Sequence, residues 1–129
     1  MRKTRVLVAD DNEGFGATLS RFVAVHEDML VVGRASDGRE AVSMTESLAP
    51  DVVLMDLFMP GMDGFEATRI LADTHPGVSV VALTAQRSAD SEQRSLEAGA
   101  RAFVPKIDAD ARLIELIRSL ASSDAQGRG

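Results

Sequence analysis

Short runs of consecutive apolar residues recur along the chain, and they alternate with stretches in which apolar residues return every three or four positions. Within each run the apolar residues are continuous instead of alternating with polar ones, which is typical of parallel strands that are covered on both faces. The pattern therefore predicts five strands, RVLVA (5–9), MLVVGRA (29–35), DVVLM (51–55), VSVVALT (78–84) and RAFV (101–104).

The stretches between these runs have the spacing of amphipathic helices. Turn and cap residues mark their ends: Asp37-Gly38 is a strand-to-helix turn, Asp63 can cap a helix that begins near Gly64, and Gly99 can close the helix before the last strand. Five strands alternating with helices predict an α/β fold with a doubly wound sheet. The positions at helical spacing are Phe15, Leu19, Phe22 and Val23, then Val42, Thr45 and Leu48 or Ala49, and finally Leu113, Leu116, Ile117 and Leu120.

The size and composition of the chain suit a single globular domain of 129 residues. We expect this domain to span residues 1–121. The remaining segment, SSDAQGRG (122–129), is small and polar, which favours a polar tail or the start of a linker. The chain has no cysteine, which excludes a disulfide framework and a thiolate metal site.

Charge and hydropathy narrow the cellular setting. The formal net charge of −6 argues against direct nucleic-acid contact by this domain, because such binding needs a basic surface. No apolar stretch approaches the length of a membrane span. The start, MRKTRVLVADD, has an apolar run too short for a signal peptide. We therefore expect a cytoplasmic location and no membrane partner.

Polar side chains follow four of the five predicted strands. The first strand ends in Asp10-Asp11, the third in Asp56, the fourth in Thr84, and the fifth reaches Lys106 after a proline. In an open α/β sheet, ligands bind beyond the carboxyl ends of the strands. Three carboxylates, a hydroxyl and an ammonium are therefore expected to meet at one rim of the sheet.

These residue types together favour phosphoryl chemistry. Crowded carboxylates repel one another unless a cation lies between them, and oxygen ligands with room for water suit Mg²⁺. Lys106 and the hydroxyl of Thr84 are suited to phosphoryl oxygens. A carboxylate beside Mg²⁺ and a lysine is a competent nucleophile for phosphoryl transfer, so Asp56 could form an aspartyl phosphate.

Each of these residues also has an ordinary structural interpretation. Asp10 or Asp11 could simply cap the first helix, since aspartate is a favoured N-cap residue. Lys106 alone would usually be a surface lysine, and Thr84 alone a strand residue. An unpaired carboxylate at the end of a buried strand, as at Asp56, is harder to explain, because burying a charge is costly.

Four segments, in this order and spacing, resemble the receiver domain of two-component response regulators. They are VADD (8–11), MDLFMPGMDG (55–64), ALTA (82–85) and GARAFVPK (99–106). Each is weak alone, but the ordered set is specific, and the resemblance covers about residues 4–121. It implies a flavodoxin-like fold, in which a five-stranded parallel sheet has the order 2-1-3-4-5 and carries five helices.

The resemblance implies a role for each polar residue at the rim. Asp56 would accept a phosphoryl group from a histidine kinase. Asp10, Asp11, Asp56 and the backbone carbonyl of Phe58 would hold Mg²⁺, and Lys106 would pair with the phosphoryl group.

The resemblance also implies a conformational switch instead of an enzyme in the usual sense. Thr84 would bond the phosphoryl group, Phe103 would move inward behind it, and the only catalysis would be self-phosphorylation and self-dephosphorylation.

Besides the kinase, we expect a homodimer through the face of the fourth helix, fifth strand and fifth helix, or through the last helix, where Ile114 lies partly off the apolar stripe. The stretch MDLFMPGMDGFEATRIL (55–71) most resembles receivers attached to helix-turn-helix DNA-binding domains.

The chain departs from the commonest family pattern near the site. The switch aromatic is Phe103 instead of tyrosine, and a proline precedes Lys106 instead of following it, so a cis bond after this lysine is not expected. In this family, the positions two residues after the phosphoryl acceptor and two residues after the switch threonine tune hydrolysis of the phosphoryl group. Phe58 and Gln86 occupy them here. We hypothesise that the bulky Phe58 hinders water and lengthens the phosphorylated lifetime.

Two other functions compete with the switch. A small Mg²⁺-dependent phosphatase with an aspartate nucleophile would need a general acid two residues beyond Asp56, and Phe58 cannot serve. An interaction module of receiver fold that works without phosphorylation would not need the acidic set and Lys106, which degenerate receivers tend to lose.

Overall fold

The computed structural model of the chain describes residues 2–86 and 88–127. Five strands form one parallel sheet in the order β2-β1-β3-β4-β5, which confirms the predicted fold class and strand order. The strands are β1 (Thr4–Ala9), β2 (Met29–Ala35), β3 (Val52–Asp56), β4 (Ser79–Thr84) and β5 (Ala102–Pro105). The helices are α1 (Glu13–Ala24), α2 (Gly38–Leu48), α3 (Gly64–Thr74), α4 (Ala89–Ala98) and α5 (Ala109–Gly127), and a 3₁₀ turn (Lys106–Asp108) joins β5 to α5.

Both faces of the sheet are covered, because successive side chains of a strand point to opposite sides. On one side, Val6 of β1 belongs to a buried cluster with Leu19 of α1 and Leu113 of α5. On the other side, Leu7 packs in a cluster with Leu71 of α3. Burial on both faces explains why the strands are continuously apolar.

Capping residues set where the helices begin. Asp63 caps α3 as predicted. Helix α1 follows Asn12, whose side-chain oxygen accepts a hydrogen bond from the backbone N–H of Phe15 at 2.9 Å. The alternative in which Asp10 or Asp11 caps α1 is therefore wrong; instead, Oδ1 of Asp10 accepts a hydrogen bond from the N–H of Asn12 at 2.8 Å.

The last helix differs from the expectation in two ways. It continues to Gly127, so the domain boundary predicted at residue 121 falls inside α5, and residues 122–127 continue the helix; residues 128–129 lie outside the described part of the chain. Helix formation propagates from a packed segment because each further residue adds a hydrogen bond, and here it continues although serine, aspartate and glycine are weak helix formers. Ile114 is 8 % exposed and belongs to the core cluster of α1 and α5, so its side chain gives no support to a dimer through the last helix.

Two further features of the described residues bear on the predictions. They contain no cis peptide bond, in agreement with the expectation for the bond after Lys106. None of the helices in this part of the chain is long and apolar enough to cross a membrane.

Candidate functional site

The carboxyl ends of β1 and β3 bring three carboxylates together. Asp10 directly follows β1, Asp11 comes next, and Asp56 is the last residue of β3. Each offers one oxygen to a group whose atoms all lie within 4.8 Å of one another. Asp10 and Asp56 are buried, whereas Asp11 is exposed. The strands meet in register, with Ala9 opposite Met55, and this pairing places their terminal carboxylates side by side.

The connection between β3 and α3 holds Asp56 in place. The backbone N–H of Phe58 donates to Oδ1 of Asp56 at 3.3 Å, and the N–H of Gly64 donates to the carbonyl of Leu57 at 3.0 Å. Gly64 packs so tightly that a Cβ atom there would meet the carbonyl oxygen of Asp56. Gly61 has a φ of +70°, a left-handed conformation that glycine adopts more readily than other residues.

Lys106 directly follows β5, and its ammonium contacts two of these carboxylates. Its Nζ atom is 2.6 Å from Oδ2 of Asp10 and 3.6 Å from Oδ2 of Asp56. The shorter of these two ion pairs is therefore the one with Asp10. The ammonium also lies 4.4 Å from the centroid of the Phe15 ring, a cation–π contact. Sequence reasoning missed this contact and placed Phe15 only in the apolar stripe of α1; its place in the first turn after Asp10-Asp11 was the available signal.

Thr84, at the end of β4, is buried and bonds to its own loop. Its hydroxyl donates to the carbonyl of Gln86 at 3.0 Å and accepts from the N–H of Gln86 at 3.2 Å. Both residues line a cleft of about 380 Å³ with Asp56 and Lys106. The other residues lining this cleft are Asp11, Asn12, Phe58 and Ala85.

Phe103 lies away from this cleft. It is 7 % exposed and belongs to a small apolar cluster with Leu57, Phe65, Ala82 and Ala100. Phe103 sits on β5 opposite Ala82 of β4, two residues before Thr84. The sheet therefore brings Phe103 near the strand that carries Thr84, without exposing its ring at the carboxylates.

The electrostatics of the site favour an additional cation. Burial raises the pKa of Asp56 to about 7, and the neighbouring carboxylate of Asp10 acts in the same direction, whereas Lys106 lowers it. Three carboxylates thus face one ammonium. Carboxylate oxygens, with the backbone carbonyl of Phe58 close by in sequence, are the hard oxygen ligands that suit Mg²⁺. The residues present fit this ion.

The sequence matches a family model over most of its length. The model is that of the response regulator receiver domain, and it matches residues 6–118. The chain belongs to this family. Receiver domains receive phosphoryl groups from histidine kinases and bind Mg²⁺ at an acidic pocket, and response regulators are signalling switches that are generally not classed as enzymes.

Known receivers resemble the chain in sequence and in structure. It is 40 % identical over 114 residues to the response regulator GacA of Pseudomonas viridiflava, covering 88 % of this chain and 53 % of GacA. It is 37 % identical over 120 residues to the transcriptional regulatory protein LiaR of Bacillus subtilis, covering 93 % of this chain and 57 % of LiaR. The structure of the signal receiver domain of the response regulator NarL from Mycobacterium tuberculosis is 28 % identical in sequence and superposes with a TM-score of 0.89. The match covers 95 % of this chain and 98 % of the NarL domain. The chain therefore spans about half the length of the curated relatives it matches.

Proposed function

We propose that this receiver domain is a phosphorylation-driven switch in which Asp56 accepts a phosphoryl group from a histidine kinase in a Mg²⁺-dependent reaction. The observation that carries the proposal is the position of Asp56, buried at the end of β3 with Asp10, Asp11 and Lys106 around its carboxylate. An oxygen of Asp56 attacks phosphorus, and the bond between phosphorus and the donor nitrogen breaks.

Asp10, Asp11, Asp56 and the carbonyl of Phe58 would hold the ion, which supplies positive charge to the phosphoryl oxygens. Lys106 is the residue of this chain that stabilises the transferred group. Its ammonium is already 3.6 Å from Asp56, and its four-carbon stem lets it move from Asp10 toward a phosphoryl oxygen.

Thr84 and Phe103 form the proposed switch. The hydroxyl of Thr84 gives up its bonds to Gln86 and donates to a phosphoryl oxygen. That movement shifts the end of β4, and the cluster around Phe103 repacks, which alters the face formed by α4, β5 and α5. Phosphorylation biases an equilibrium between two states of this face.

The changed face is where we expect a partner. A homodimer through α4, β5 and α5 remains part of the proposal, while a dimer through α5 has lost the support of Ile114, which is buried. The likeness to LiaR, a transcriptional regulatory protein, is consistent with a DNA-binding output carried outside this domain. A cytoplasmic location completes the proposal.

The first test is phosphorylation by a small phosphodonor. The protein is incubated with the donor and Mg²⁺, and its intact mass is measured. We expect a Mg²⁺-dependent phosphoryl adduct that Asp56→Asn abolishes. Asp63→Asn is a matched control in the following turn, because asparagine also caps helices and the fold is kept. With the donor active and the protein folded, no adduct would refute the switch and favour a module that works unphosphorylated.

A further inference from the structure

Phe58 is a large aromatic residue at the rim of the cleft. Phe58 is 53 % exposed, and it lines the cleft together with Asp56 and Thr84. A side chain this exposed can change rotamer unless neighbouring groups hold it. The groups that hold the Phe58 ring therefore decide where the ring lies at the rim of the cleft.

One neighbour of Phe58 is the ring of Phe65, in the first turn of α3. The two ring centroids are 5.7 Å apart, and the planes meet at 79°, an edge-to-face arrangement. Such pairs are favourable beyond the apolar area they bury. Phe65 is only 6 % exposed and belongs to the cluster that also contains Phe103, and the Phe58 ring packs against it at the rim of the cleft.

Arg94 of α4 contacts Phe65 from outside. Its guanidinium carbon lies 4.1 Å from the centroid of the Phe65 ring, well within the range of a cation–π contact. The carboxylate of Asp90, one turn earlier, is 3.9 Å away, a long ion pair that leaves the guanidinium free to stay on the ring.

Helix α4 buries only small side chains among its described residues, and they are Ser91, Ser95 and Ala98. Burial of small side chains provides little apolar stabilisation. The contact between Arg94 and Phe65 joins α4 to the first turn of α3. A shift of α4 would move the Arg94 guanidinium relative to the Phe65 ring.

We propose that Arg94 and Phe65 are positioning residues that hold the Phe58 ring over Asp56 and thereby set the lifetime of the phosphoryl group. This inference rests on the proposed function of Asp56. In hydrolysis, a water oxygen attacks phosphorus and the bond from phosphorus to the Asp56 oxygen breaks, which releases inorganic phosphate and restores the carboxylate. While Arg94 rests on Phe65, the Phe58 ring blocks the path of that water. When α4 moves and Arg94 leaves, the Phe58 ring loosens and hydrolysis becomes faster.

The test compares hydrolysis rates of the phosphorylated protein. The protein is phosphorylated with a small phosphodonor, the donor is removed, and loss of the adduct is followed by intact mass. We expect Arg94→Gln to hydrolyse about two- to fivefold faster, the range that one cation–π contact allows. Arg94→Lys, which keeps the cation, should restore most of the lifetime. Arg21→Gln is the matched control, because Arg21 is exposed on α1, on the opposite face of the sheet.

A double-variant comparison separates positioning from a general structural effect. If Arg94 acts through the Phe58 ring, Arg94→Gln should have no further effect in protein that already carries Phe58→Asn. An unchanged rate in Arg94→Gln, or an equal acceleration in both backgrounds, would overturn the inference while leaving the phosphoryl acceptor in place. Absence of an adduct on the wild-type protein would instead overturn the proposed function, and this inference with it.

Discussion

The ammonium of Lys106 lies 2.6 Å from an oxygen of Asp10, a full 1 Å closer than its distance of 3.6 Å from Asp56. Among the described residues that line the cleft, Lys106 is the only one with a cationic side chain. Asp10 and Asp56 therefore share the Lys106 ammonium unequally. Asp56, the carboxylate proposed to react, has the longer and weaker ion pair. If Asp56 is the phosphoryl acceptor, as proposed, this arrangement would leave it available to the incoming group while Lys106 neutralises Asp10.

Replacement of Lys106 should destabilise the protein in the absence of a divalent ion. In Lys106→Met the buried carboxylate of Asp10 loses its cation, and removing one partner of a buried pair costs about 3–5 kcal/mol, somewhat less here because Lys106 is partly exposed. The loss should shrink when Mg²⁺ is added, because the ion neutralises the same oxygens. Urea unfolding with chelator and with Mg²⁺ measures both effects. Lys3, the other lysine of the chain, is exposed, so Lys3→Met should change neither unfolding curve. If Lys106→Met lost the same stability with and without Mg²⁺, the ion would not be replacing the charge of Lys106.

The raised pKa of Asp56 predicts a pH-dependent stability in metal-free protein. Its ordinary pKa is 3.8 and its pKa in the folded protein is about 7, so between these values the folded state holds a proton that the unfolded state has lost. The free energy of unfolding should therefore fall as the pH rises from about 4 to 7, by an amount on the order of 1–4 kcal/mol. Asp56→Asn should remove this fall and be more stable than wild type at pH 8. Urea titrations with chelator at several pH values provide the measurement.

Asp28 provides a control of the opposite sign. The hydrogen bond from Arg118 lowers the pKa of Asp28. The stabilisation of the folded protein by this pair is therefore present above the ordinary pKa of aspartate and is lost as the pH falls through the lowered pKa. Asp28→Asn should consequently give no gain in stability at pH 8. If Asp56→Asn and Asp28→Asn behave alike at that pH, repulsion among the site carboxylates is not the cause.

Phe58 should slow hydrolysis of the phosphoryl group. Replacement by asparagine opens the rim of the cleft to water, and we expect loss of the adduct to become about three- to tenfold faster, which is about 0.7–1.4 kcal/mol of barrier. The measurement is the decay of the adduct by intact mass after the donor is removed. Ile107 is 88 % exposed and lies outside the residues that line the cleft, so Ile107→Asn is a matched control for lost apolar surface. An unchanged rate in Phe58→Asn would rule out shielding by this ring.

Gly64 should be intolerant of any side chain. In Gly64→Ala the new Cβ would meet the carbonyl oxygen of Asp56 and lie 2.7 Å from the Cα of Leu57, and backbone atoms cannot move aside cheaply. We expect a loss of about 1–3 kcal/mol of stability, together with weaker Mg²⁺ binding, because the loop that carries the Phe58 carbonyl must shift. Gly14→Ala is the control, because Gly14 is exposed on α1 and a Cβ atom there would come no closer than 3.4 Å to a neighbour, the Oδ1 of Asn12. This variant should gain about 0.5–1 kcal/mol of stability. Unfolding in urea and Mg²⁺ titration of both variants test this contrast, which fails if Gly64→Ala is as stable as Gly14→Ala.

The fold was predictable because its signals are local. Each strand is a continuous apolar run between turn residues, and the caps at Asp37 and Asp63 act within three residues of their own position. The last helix differs from the expectation: composition suggested a polar tail or the start of a linker at 122–129, but residues 122–127 continue α5. Helix propagation depends on the packed turns before it, which a local polar composition does not reveal.

The residue types of the site, and their meeting at one rim, were determined by the sequence alone, since parallel strands deliver their last side chains to the same edge of a sheet. Only the tertiary structure decided which partners they take. The closer pairing of Lys106 with Asp10, the burial of Ile114, and the contact of Arg94 with Phe65 depend on distances between segments far apart in the chain. Ion pairs and ring contacts act over a few ångströms, and such separations are set by how helices pack on the sheet instead of by the order of residues.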